Sequence, residues 1–439
     1  MLNKKVMVIG LSICMLLASA PTFAATKVYR LDDAINQAIE VNADLRALES
    51  SIPQIEEGVR QANFGASQQQ LLYKKYKVYR AMYNDSEDTW DKYQDLSENE
   101  LSDELVKLGK KMSNPAFLSK MEEYLEDVEY IQYALMFGTD EPDLTEREVY
   151  QKYVRGSELI GLQAENEMEK ALNNIDVIKG NVTVGVTQAF LGVQDLDVAI
   201  KTQNDLLILR NKIQNELEAM YNEGLVSEFD LYSSQNAIET LKLQIEILEL
   251  QKQNTEYALN NLLGNDYSDR LVLLAPNESE EYEVVLSLQE RALSAVGNNT
   301  QIKGYKIDLS YYEKDFSLYK EFEGIEFGNE YDDLTYNINR LEDSIHKAIW
   351  NLESNVLHAV GTHQALKKEV EDKQLAYDLA VTKLSEGVSQ YKLGLVKTSD
   401  VHSMQIDVQS KKMALDQAIR AVEKSEIKMD MQVEYGITY

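Results

Sequence analysis

The sequence predicts an all-α protein made of long antiparallel coiled-coil hairpins that arose by internal duplication. Three observations predict it. Turn formers are scarce, with 20 Gly and 5 Pro in 439 residues, which favours few, long elements. Apolar residues recur at helical and heptad spacing along most of the chain. One turn is also written twice: YNEGLVSEFDLYSSQ (221–235) and YKLGLVKTSDVHSMQ (391–405) agree at seven of fifteen positions, 170 residues apart.

The N-terminus reads as an export signal. Lys4 and Lys5 precede the apolar stretch VMVIGLSICMLLA, and small residues lead up to Ala25, so cleavage is expected after Ala24. The only cysteine, Cys14, lies inside this segment. The exported chain is therefore expected to carry no disulfide and to be held by packing alone. No later stretch is long and apolar enough for a transmembrane helix.

Helical periodicity begins at Leu31 and continues through Ala34, Ile35, Ala38, Ile39 and Leu45. An acidic, Tyr-rich helical insert covers about 65–143. A long helix follows from Leu144 to about Asn222, in which Gly180, Gly185 and Gly192 are candidate bends. After the first turn, Leu231, Ile238, Ile245 and Leu259 lie on one seven-residue series interrupted at Lys252, and Leu241, Leu248 and Leu262 form a companion series interrupted at Thr255. Two such stripes describe a coiled-coil seam. Gly264 suits the left-handed stop of that rod.

The linker LVLLAPNESEEYEVV (271–285) divides the chain. The second half then repeats the plan. Leu288 echoes Leu31, Ala295 echoes Ala38, and Asn299 echoes Asn42, before a long helix, the second turn and a last rod. The expected organisation is a signal peptide over 1–24, a first repeat over 25–275 with its insert, and a second repeat over 276–439.

Each repeated turn ends one helix and starts the next. Gly224 and Gly394 suit the position just past the incoming helix, where φ is positive. Ser227 and Asp230 form a capping box. In the second copy Thr398 or Ser399 is the expected cap, with Asp400 in the first turn, where the helix dipole favours an anion. Leu225, Val226, Leu395 and Val396 lie at the tips, either as internal staples or as docking groups for another protein.

The duplicated set of landmarks, with Y-x-x-G-L-V-x-x-x-D in each half, resembles the TolC-like outer-membrane efflux protein family over nearly all of the mature chain except about 65–143. The resemblance implies a TolC-like α-helical barrel protomer and a homotrimer whose six hairpins enclose a tunnel. It implies that Gly224, Leu225, Val226, Gly394, Leu395 and Val396 meet a periplasmic adaptor protein, with an inner-membrane pump behind it. It also implies that Asp230 and Asp400 lie near the tunnel entrance, beside their role as helix caps. The alternative is an exported coiled-coil scaffold of the envelope that transports nothing.

The family also places a β-hairpin in each half, and the sequence supplies neither. Residues 83–111 are charged and helical in pattern, and 319–333 are short and acidic, whereas a membrane strand needs about 9–11 alternating residues. The barrel strands are expected to be reduced or absent.

No enzyme is indicated. The four histidines, His346, His358, His363 and His402, share no metal-binding spacing, and no phosphate loop or cysteine cluster occurs. No cofactor and no metal are expected. A formal net charge of −30 excludes nucleic acid as a general partner.

Overall fold

The computed structural model describes residues 26–85, 92–93, 95–114, 120–137, 146–274, 287–320 and 329–437. The export segment, most of the 271–285 linker and most of the 319–333 stretch lie outside the described residues.

The elements in chain order are β1 (Thr26–Tyr29), α1 (Leu31–Val41), α2 (Ala43–Asp85), α3 (Glu98–Met112), α4 (Met121–Phe137) and α5 (Glu146–Tyr150). A π-helical turn (Gln151–Arg155) leads into α6 (Gly156–Asn222), followed by α7 (Glu228–Leu262) and β2 (Arg270–Leu273). The second half holds α8 (Leu288–Asn298), α9 (Thr300–Tyr319), α10 (Asn329–Lys392) and α11 (Thr398–Tyr435). The all-α expectation holds. Among the described residues the only strands are β1 and β2, which pair parallel with Val28 opposite Val272. Gly180, Gly185 and Gly192 do not break α6. Gly185 and Gly192 instead face α7, where an added Cβ would only touch Leu262 and Thr255.

The chain forms two compact units. The first comprises the chain up to Glu49, Asn174–Thr300 and Ala348–Tyr439, and the second comprises Ser50–Asn173 and Gln301–Lys347. Each unit draws on both sequence repeats.

The first unit carries the duplication most plainly. The helices α1 and α8 each span 11 residues and bury the matching alanines Ala38 and Ala295. Each ends at an asparagine in the same extended conformation, Asn42 at φ −62 and ψ 121, and Asn299 at φ −66 and ψ 117. Each long rod then stops at a glycine packed on that junction. Gly264 (φ +66) ends α7, and an added Cβ would come within 3.1 Å of Val41. Gly436 (φ +62) ends α11, and its Cβ would lie 2.6 Å from the Ala295 carbonyl. The core around the first junction joins Ala34, Ala38, Phe190, Leu259 and Leu263 with Tyr29 and Leu271 of the strands.

Side-chain contacts set the order of the rods in this unit. Lys252 of α7 pairs with Asp197 of α6 at 2.6 Å. Asp195 of α6 takes both Arg420 and Lys424 of α11. His363 of α10 meets Ser425 of α11 at 2.6 Å. The order is therefore α7, α6, α11, α10. On α7 the expected seam is buried at Ile238, Leu241, Ile245 and Leu259.

The second unit holds the Tyr-rich insert. Tyr79, Tyr93, Leu101, Leu108, Tyr130 and Ile131 form its core, and Tyr93 stacks on Tyr130 with centroids 5.8 Å apart. Asp127 is buried against this core and paired with Lys92 at 2.6 Å. Elsewhere in the unit, Arg155 at the π-helical turn reaches Asp315 at 2.8 Å and Glu330 at 2.6 Å. Burial disfavours its charge, and the hydrogen bonds it donates to Glu330 and Asp315 outweigh that and raise its pKa. Of residues 83–111, expected to carry no membrane strand, 98–111 are helix, and 86–91 and 94 lie outside the described residues.

Candidate functional site: the hairpin tips

Both repeated turns close antiparallel helical hairpins through the same backbone device. At the first tip Gly224 N–H donates to Tyr221 O and Leu225 N–H donates to Met220 O, at 2.9 and 2.8 Å. At the second, Gly394 N–H donates to Tyr391 O and Leu395 N–H to Gln390 O, both at 2.9 Å. This pair of bonds is a Schellman stop, and it needs the left-handed residue that Gly224 (φ +76) and Gly394 (φ +72) supply. Nothing lies within 4 Å of where a Cβ would stand on either glycine. The two are thus fixed by backbone conformation, with the space around them open.

The outgoing helices start alike. Ser227 caps α7: its amide and hydroxyl donate to Asp230 Oδ2 at 3.1 and 2.6 Å, and Asp230 N–H donates back to Ser227 Oγ. Those bonds, the hydroxyl's first, hold the Asp230 carboxyl below the ordinary carboxylate range. In the second copy the cap is Lys397, not Thr398 or Ser399. Lys397 is the positional equivalent of Ser227 and has no oxygen to offer, so only the Asp400 half of the box forms, with Lys397 N–H donating to Asp400 Oδ2 at 3.1 Å. The register of the turn, not the side chain's capping ability, decides where the helix begins.

The four tip aliphatics divide into two kinds. Val226 and Val396 are half-buried inside their turns, which suits a staple. Leu225 and Leu395 are 65% and 71% exposed. The structure also adds exposed neighbours that pattern reading passed over: Phe229 at 79% and Tyr232 beside Leu225, and Leu393 at 74% beside Leu395. The signal for them was present in the quoted stretches, as apolar residues outside the heptad seam within eight residues of each glycine.

The tips also lie side by side. Glu216, eight residues before Gly224, meets His402, eight residues after Gly394, with His402 Nε2 2.6 Å from Glu216 Oε2. Below that contact a groove of about 380 Å3 separates α6 from α11, lined by Asp195, Ala199, Met413, Gln417 and Arg420.

Solved structures resemble this arrangement. The outer-membrane channel OprN superposes with a TM-score of 0.54 at 10% identity, covering 65% of this chain and 73% of that one. The chain has the TolC-like fold. The CmeC outer-membrane channel of Campylobacter jejuni gives a TM-score of 0.52 at 11% identity, over 65% of this chain and 68% of its own. The outer-membrane protein VceC of Vibrio cholerae gives 0.50 at 13%, over 64% and 75%. At the level of sequence the chain matches no family profile and no curated relative. CmeC and OprN are outer-membrane channels, and among the described residues of this chain no group of His, Cys, Asp or Glu is placed to hold a metal. No described helix of the chain is long and apolar enough to cross a membrane.

Proposed function

We propose that the protein is an exported TolC-like component of the cell envelope. Its hairpin tips dock an adaptor protein of a tripartite-type transporter, and three copies close into a ring that forms or extends an export tunnel fed by an inner-membrane pump. The observation that carries this reading is the pair of adjacent tips presenting exposed Leu225 and Leu395. A turn that only reverses the chain needs no exposed aliphatic, and two equivalent ones side by side make a repeated docking edge.

Ring closure is supported by the internal repeat. Met413, Gln417 and Arg420 are residues of α11 that face α6. Their counterparts 170 positions earlier are Leu243, Ile247 and Leu250 of α7, and all three are exposed large apolar residues. On α10 the end helix of the opposite edge likewise exposes Leu357, Leu375 and Leu379. An α7 stripe of one copy laid on the α10 stripe of the next would repeat the α11–α6 contact between copies. In such a ring Asp230 and Asp400 would bring six carboxylates near the tunnel entrance, where an acidic ring favours cations, in addition to capping.

The helices α3 and α4 of the insert, where a barrel strand would be sought, favour a second reading, an envelope scaffold without transport. The test is efflux from cells carrying a gene deletion, complemented with wild type or with the Leu225→Asp/Leu395→Asp pair. Loss of efflux in the deletion and in the tip variant supports docking for transport. Unchanged efflux in both would leave the scaffold.

A further inference from the structure

The chain carries 74 acidic residues, yet none falls in two stretches of the insert unit. Residues 58–84 contain Arg60, Lys74, Lys75, Lys77 and Arg80 and no acid, and residues 105–121 contain Lys107, Lys110, Lys111 and Lys120 and no acid. These stretches hold nine of the chain's 44 basic residues and none of its 74 acidic ones. The structure brings α2 and α3 to one body, because Tyr79 of α2 and Leu108 of α3 share the same core.

The outward face of α2 is as unusual as its charge. Tyr76 and Tyr79 point into the core, while Phe64, Leu71 and Val78 are exposed at seven-residue intervals on the other side. Lys74 and Lys77 are exposed alongside them. Lys77 lies over the Tyr73 ring at 5.3 Å. Lys74 and Lys75 form no salt bridge among the described residues. An apolar stripe flanked by lysines and tyrosines on a helix is the pattern of a segment lying in a lipid–water interface, where the stripe enters the acyl boundary and the lysines meet anionic headgroups.

We propose that the Phe64–Val78 face of α2 is a membrane-surface docking site that takes an anionic lipid bilayer. This goes beyond the export reading and does not depend on it. It would hold the insert unit against a bilayer surface.

The test is co-sedimentation of the full exported chain with vesicles of phosphatidylcholine alone and of phosphatidylcholine with about one-third phosphatidylglycerol. Binding to the anionic vesicles should exceed binding to the neutral ones by tenfold or more and should fall steeply between low and physiological salt. Lys74→Glu/Lys75→Glu should abolish it. Leu71→Ser/Val78→Ser should weaken it at unchanged helical circular dichroism, since the affected side chains are exposed. Equal binding to neutral vesicles, no binding to either, undiminished binding by the Lys variant, or capture of soluble polyphosphate with no capture of vesicles would each overturn the proposal.

Discussion

His402 Nε2 and Glu216 Oε2 stand 2.6 Å apart, and this contact ties the second hairpin to the first just below their tips. His402 is buried, whereas Glu216 is exposed. Replacing His402 by Ala removes both the bond and buried packing, and is expected to lose about 1–3 kcal/mol of unfolding free energy. Glu216→Gln keeps a hydrogen-bond acceptor and should lose less. Hydrogen exchange should distinguish the variants locally, with protection falling at residues 216–230 and 394–405 in His402→Ala and remaining near wild type around the Ala38 and Ala295 junctions.

The four left-handed glycines should respond differently to alanine. At Gly224 and Gly394 only the backbone conformation opposes a Cβ, so each substitution should destabilise by about 1–2 kcal/mol. At Gly436 the same conformational penalty is joined by a clash with the Asn299 backbone and the Ala295 carbonyl. Gly436→Ala should therefore lower the denaturant midpoint more than either tip substitution, and chemical denaturation of the three variants checks the ranking.

Acid should loosen the start of α7 at the first tip. The Asp230 carboxyl is held below its ordinary range by Ser227, so its capping contribution is complete above the unfolded carboxylate pKa of about 4 and is lost as pH falls through the folded value. Protection of the α7 first turn should drop below about pH 4 in wild type. Asp230→Asn should show the weaker protection already at neutral pH and lose that acid dependence. Exchange rates measured between pH 3 and 6 test the sign.

The coiled-coil seam, the two tip glycines and the duplication were legible because each is written in local spacing: heptads, a Gly-Leu-Val turn, an Ala and an Asn at fixed offsets. The cap at Lys397 was not, because residue preference points to Thr398 and Ser399 while the hairpin's register fixes the start one residue earlier. Gly436 escaped for a related reason. Its counterpart Gly264 follows Leu-Leu, but Gly436 follows Glu-Tyr, and only the packing on Asn299 reveals the equivalence. Long-range pairs such as Glu216–His402 leave no trace in spacing, since an exposed Glu and a lone His look ordinary until the fold brings them together.

The buried Arg155 cluster in the insert unit gives a separate check on packing. Asp315→Ala would leave a guanidinium that is only 6% exposed with the half-exposed Glu330 as its remaining carboxylate, and is expected to destabilise by about 3–5 kcal/mol. Arg155→Met/Asp315→Leu removes both charges and should recover much of that loss. Thermal unfolding of the single and double variants measures the difference.

Ring closure by edge helices is tested most directly by a disulfide. The internal repeat places Tyr232 and Glu386 as counterparts of His402 and Glu216, on α7 and α10, so they should meet between neighbouring copies. Cys14, the only native cysteine, lies in the segment expected to be removed on export. Tyr232→Cys/Glu386→Cys in the exported chain, oxidised and run without reductant, should give a covalent species of three chains, with each single variant remaining one chain. A double variant that stays uncrosslinked, or that closes only within one chain, would contradict the ring.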